Sequence, residues 1–140
     1  MNRANPQMRN LAARLIDHEA GLRPAATGTP AAFAVSERMR THLTTLMGNG
    51  GHRALLMRAL AIAGAEVSWL CDIRINAEGA LDGPAPDGEA VDPDAVREGG
   101  VVLIAQLLGL LVAFIGERLT LQLVREIWSD LPGGDSNFKI

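Results

Sequence analysis

The chain has no tyrosine, and only three phenylalanines and two tryptophans among its 140 residues. Scarce aromatics argue against a β-sandwich, whose strands draw on aromatic and β-branched side chains. The single cysteine, Cys71, excludes an intramolecular disulfide framework and an all-cysteine zinc site. Lysine is almost absent: Lys139 stands alone against twelve arginines. A net charge of −3 and a pI near 5.5 argue against a generic nucleic-acid binder. The first thirty residues contain no long apolar run, so a secretory leader is not expected. A cytoplasmic location is the expectation, and one unpaired cysteine agrees with it.

What is present is aliphatic. Residues of the hydrophobic set make up 48% of the chain, and leucine, alanine, valine and isoleucine dominate them. That composition favours helices. The length suits one domain, expected over residues 1–132, with 133–140 as a flexible tail.

Asn5-Pro6 reads as a helix cap followed by proline at the first helical position. Met8, Leu11, Ala12, Leu15 and Ile16 then recur on one helical face, and Gly21 ends the run, so a helix is expected over about 6–20. Residues 23–31 read as a linker, and Thr29-Pro30 as the start of a second helix. Its face carries Ala32, Val35, Met39, Leu43 and Leu46, and Gly48-Asn49-Gly50-Gly51 is expected to stop it. A third helix follows at once, with Leu55, Leu56, Ala59, Leu60, Ala63 and Val67 in its stripe. The pair reads as an αα-hairpin with a short glycine turn.

The period then changes. Trp69, Cys71, Ile73 and Ile75 alternate with mostly polar residues, the pattern of a half-buried strand. Ala77-Glu78-Gly79 reads as a turn and Ala80-Leu81 as a short return. This placing puts Cys71 on the buried side as an inert thiol. Residues 83–93 lack any period and read as an exposed acidic loop.

Asp92-Pro93 repeats the cap-and-proline start. One helix is expected through most of the stretch to Pro132, with Gly99-Gly100 as its candidate break. From Gly99 to Gly116 the only strongly polar side chain is Gln106. A helix apolar all round is either a buried central helix or a membrane span. This one has charges at both flanks, no positive cluster on one side and no aromatic belt, which favours burial in protein. Ala105, Gly109, Ala113 and Gly116 form a strip of small residues along it. Such a strip lets two helix backbones approach closely. The partner is either another helix of the same chain or a second copy crossing at Gly109.

Charge is unevenly spread. Residues 1–65 carry eight arginines and three acids, net +5; residues 66–98 carry two arginines and nine acids, net −7. Docking between these segments and simple solvation are the two readings.

Complete catalytic motifs do not stand out. Gly50, Gly51, His52 and Arg53 at a helix start make a weak candidate anion site, although the turn itself requires glycine. His18, beside Asp17 and Glu19, lacks a second histidine at metal-ligand spacing. Glu117 interrupts the apolar helix and is the carboxylate of most interest. Arg53 and Arg58 begin a helix that continues as Ala-Leu-Ala-Ile-Ala, a surface unsuited to reading base edges.

The expectation is therefore a mostly α protein: a compact helical bundle with a long hydrophobic C-terminal helix and a small β-ribbon. Its expected role is a non-enzymatic interaction or regulatory protein, a homo-oligomer or a small subunit of a larger assembly, with no cofactor. The alternatives are a membrane-anchored or membrane-inserting effector using 99–116, and a helical enzyme or carrier whose site is assembled in space.

Overall fold

Proline at the first helical position loses only a hydrogen bond that the helix end lacks anyway. In the computed structural model, α1 starts there, spanning Pro6–Leu22. The structure describes residues 6–22, 31–82 and 93–129. The linker 23–30, most of the acidic loop at 83–92, and the tail lie outside the described residues. Every residue of the α1 apolar stripe is buried, from Met8 to Ile16.

The second element, α2 (Ala31–Glu66), is one helical run of 36 residues broken in its backbone path only at Gly48. Gly48 has φ 80° and ψ 162°, a left-handed-side conformation that costs glycine little and other residues considerably more. The break is thus a single residue, and Gly50 and Gly51 are already helical. Its first arm (31–47) buries Val35, Met39 and Leu43. Its second arm (49–66) buries His52, Leu56, Ala59 and Ala63. Arg40 on the first arm and Arg53 on the second both reach the same turn at 76–80, so the arms fold back as a hairpin.

The strand expected over 69–76 is corrected. Ser68–Asp72 is a short 3-10 helix, and only Arg74–Ile75 is extended as β1. Strand β2 (Leu81–Asp82) pairs with it antiparallel, Arg74 opposite Asp82 and Ile75 opposite Leu81. The cause is visible in Leu70, the one apolar residue that broke the alternation. Side chains three apart eclipse in a 3-10 turn, and that brings Leu70 and Ile73 into the core together. Cys71 consequently faces outward rather than inward, its thiol donating to the Gly64 carbonyl at 3.4 Å.

Helix α3 (Pro93–Ile115) passes unbroken through Gly99-Gly100, so the candidate break there is also corrected. These glycines serve packing instead. A Cβ at Gly100 would stand 2.9 Å from the Ala32 Cβ, and one at Gly99 would strike the Trp69 ring. Trp69 donates its indole N–H to the Ala95 carbonyl at 3.2 Å, fixing the 3-10 turn on the start of α3. Val101 to Leu108 are then all buried, enclosed mainly by α2 and α1.

The real break is Gly116, at φ 95° and ψ 157°. Its carbonyl accepts from both the backbone and the hydroxyl of Thr120, at 3.1 and 2.8 Å. After it, α4 (Glu117–Ile127) is strongly amphipathic, burying Thr120, Leu121, Val124 and Ile127. Trp128 closes the core just beyond.

The first helix is joined to the start of α3 by two surface ion pairs, Arg9 with Glu98 and Arg97 with Asp17. Arg97 grips the Asp17 carboxylate with two nitrogens, at 2.8 and 2.9 Å, and holds its pKa below the ordinary range. Arg9 with Glu98 follows the basic-to-acidic asymmetry of the chain, and Arg97 with Asp17 runs opposite to it.

Candidate functional site

Helix α3 divides into unlike stretches. Its middle, from Gly99 to Leu108, is sealed. Beyond Leu108 one side of it emerges: Gly109, Leu110 and Val112 are half-buried, Ala113 is exposed and Phe114 is 67% exposed, while Leu111 stays fully buried. Leu119, at the start of α4 beyond the Gly116 break, is a further exposed apolar side chain, at 52%. A large apolar side chain in water is common singly, but a contiguous group marks a contact surface.

The strip of small residues is split by this division. Ala105 is buried, whereas Gly109, Ala113 and Gly116 lie toward the open end. A Cβ built on Gly109 or Gly116 meets nothing within 4 Å. Among the described residues no helix of the same chain crosses closely at Gly109, which corrects that one of the two readings. The close crossing inside the chain is at Gly100. Asp94–Ile115 is long and apolar enough to cross a membrane, and 61% of its apolar window is buried by the chain itself.

The four residues weighed as an anion site differ in exposure. Gly50 and Gly51 are exposed, while His52 is completely buried and Arg53 half-buried. Their neighbours hold the β-turn. Asn49 donates to the Ala77 carbonyl at 3.2 Å, and Arg53 Nε to the Asn76 carbonyl at 3.1 Å. The Asn76 side chain accepts from the backbone N–H groups of Glu78 and Ala80, both at 3.0 Å. Gly79, at φ 87°, lies directly on His52: a Cβ there would be 2.8 Å from the imidazole Nδ1. Among the described residues neither ring nitrogen of His52 has a hydrogen-bond partner. Burial pushes its pKa below 6.5, and the Arg40 charge pushes the same way.

Glu117 sits in the first turn of α4 and is half-buried. A carboxylate there complements the positive end of the helix dipole. Asp17, His18 and Glu19 do not act together: Asp17 pairs with Arg97 and Glu19 with Arg38. Among the described residues no three His, Cys, Asp or Glu side chains gather as a metal ligand set.

Two features escaped sequence reasoning. One is a polar lock at the far end of the bundle. Buried Glu19 accepts from Arg38 at 2.5 Å and from the Trp128 indole at 2.9 Å. Arg38 also donates to the Ile127 carbonyl at 2.9 Å and lies 5.3 Å over the Trp128 ring. The other is a cleft of about 500 Å³ between the second arm of α2 and the 3-10 turn with β1. Met57, Leu60, Ile73 and Ile75 form its walls, Arg53 and Arg74 supply its charge, and Cys71 lies along it. The lining residues are distributed from 53 to 75, and nothing local in the sequence marks them as neighbours.

No protein-family model, curated protein or solved structure matches this chain.

Proposed function

We propose that the chain is a non-enzymatic interaction protein of the cytoplasm that works as a homo-oligomer, associating through the C-terminal half of α3. The observation that carries this is the exposure of Ala113, Phe114 and Leu119 on either side of the Gly116 break, with the open Gly109 one turn before Ala113. The small residues leave room for a second backbone, and Phe114 offers a large side chain to a copy of the same surface. An isologous, two-fold crossing satisfies both at once.

A second copy fits this face better than lipid. The open segment, 109–116, covers about 12 Å of helix at 1.5 Å per residue. A hydrocarbon core is about 30 Å thick. Spanning would require α3 to shed α1 and α2 from its buried stretch, 99–108. Insertion is the rival reading because α3 has the length and hydropathy of a span; it places the protein in the membrane fraction until detergent is added.

Cysteine cross-linking tests the geometry. In a Cys71→Ser background, Ala113→Cys is expected to form a disulfide-linked dimer rapidly under mild oxidation. Ala20→Cys, exposed on α1, is expected to stay monomeric. Equal cross-linking at both positions, or none at Ala113→Cys, overturns the proposed face.

A further inference from the structure

We infer that the cleft beside the 3-10 turn is a binding site for a small amphipathic carboxylate, an organic acid with a medium-length apolar chain. This site shares no residue with the α3 surface and does not depend on the proposed self-association.

The volume, about 500 Å³, lies within the approximate 300–1,000 Å³ of ordinary small-molecule sites. Its walls are aliphatic, and Met57 at the rim is 53% exposed despite its apolar side chain. A flexible thioether of this kind adapts to apolar ligands of varied shape. The lining contains two arginines and no carboxylate.

The arginines decide the head group. Arg53 spends its Nε on the Asn76 carbonyl, which orients the guanidinium and leaves its two terminal nitrogens as donors. Arg74 makes no hydrogen bond or ion pair among the described residues, although Asp82 is its cross-strand neighbour. A guanidinium presents parallel donors matched to the two oxygens of a carboxylate. Two such groups at one apolar cleft select an anion with a hydrocarbon tail over a neutral or cationic one.

Cys71 provides a built-in reporter because it is the only cysteine and is exposed along the cleft. The rate of its alkylation by iodoacetamide, an uncharged reagent, is measured against sodium octanoate and against octanol. Octanoate is expected to protect Cys71 saturably, with a dissociation constant on the order of 1 mM or tighter. Octanol and Arg74→Gln are each expected to weaken protection about tenfold, the scale of one charge-assisted hydrogen bond. Arg74→Lys should retain part of it. The Arg74 side chain is exposed and makes no hydrogen bond or ion pair among the described residues, so unchanged thermal unfolding will separate loss of binding from loss of structure. Calorimetric titration with octanoate gives the stoichiometry, expected at one per chain. Equal protection by octanoate and octanol would reduce the cleft to an apolar patch and overturn the assignment. So would the absence of both protection and heat at 10-fold higher octanoate, or an Arg74→Gln variant that binds as wild type.

Discussion

The carboxylate of Glu19 accepts a hydrogen bond from the indole of Trp128 across 109 positions of sequence, at 2.9 Å. The same oxygen accepts from Arg38, so one buried acid ties α1 to α2 and to the end of α4. Removing the acid strands a buried indole N–H and an arginine partly shielded from water. Breaking a buried pair costs about 3–5 kcal/mol. Arg38 is one-third exposed, so Glu19→Ala is expected to cost less, about 2–3 kcal/mol. Trp128→Phe, which removes the N–H along with part of the packing, should cost about 1–3 kcal/mol. Urea denaturation checks both, and a change below about 0.5 kcal/mol for Glu19→Ala would remove the lock from the stability account.

Two glycines on α3 should respond oppositely to the same substitution. Gly100→Leu forces a side chain against Ala32 and Ile16, and overpacking costs about 1–3 kcal/mol or more. Gly109→Leu enters open space and gains helix propensity, worth up to about 0.8 kcal/mol. Thermal unfolding is expected to fall for the first and to hold or rise for the second in the monomer. Equal losses would contradict the two packing environments.

His52 makes stability depend on pH. Burial keeps its imidazole neutral in the fold, with a pKa below the ordinary 6.5. Between the folded and unfolded values the unfolded chain binds more protons. The His52 contribution is therefore fully present above about pH 6.5 and is lost as pH falls toward the folded pKa, at up to about 1.4 kcal/mol per unit. His52→Leu should lose this slope. At pH 7.5 it should be neutral or stabilising by about 1 kcal/mol, because it deletes two buried ring nitrogens that have no partner among the described residues. Unfolding at pH 7.5, 6 and 5 for both proteins checks this, read as the difference between them. A constant difference across that range would refute it.

Gly79→Ala is expected to destabilise the β-turn by about 1–2 kcal/mol from its positive φ alone. Contact with His52 adds to this, so the loss should be smaller in a His52→Ala background. Double-mutant unfolding measures that coupling; strictly additive losses would mean that the ring and the turn do not interact.

Local physics made the helices legible before the structure. The stripe from Met8 to Ile16, Pro93 as a helix start, and the Gly48 break all rest on interactions within a few residues. The misread segments turned on distant partners. Gly99-Gly100 looks like a break until Trp69 and Ala32 are seen against it, where glycine is needed for close approach. Leu70 looks like noise in a strand until the core demands Leu70 and Ile73 together. The candidate sites divide similarly. The apolar strip on α3 was visible as periodicity, but its open half depends on where α1 and α2 stop covering it. The cleft and the Glu19 lock are made by residues brought together only by folding, and no spacing rule reaches them.

Solution mass by light scattering, compared for wild type and Gly109→Leu across micromolar concentrations, tests the central claim most directly. The expected result is a wild-type particle of twice the 14.9 kDa chain mass and a Gly109→Leu monomer that melts no lower than isolated wild-type chains. A wild type that stays monomeric at every concentration, or a Gly109→Leu protein that keeps the wild-type mass, would contradict self-association through α3.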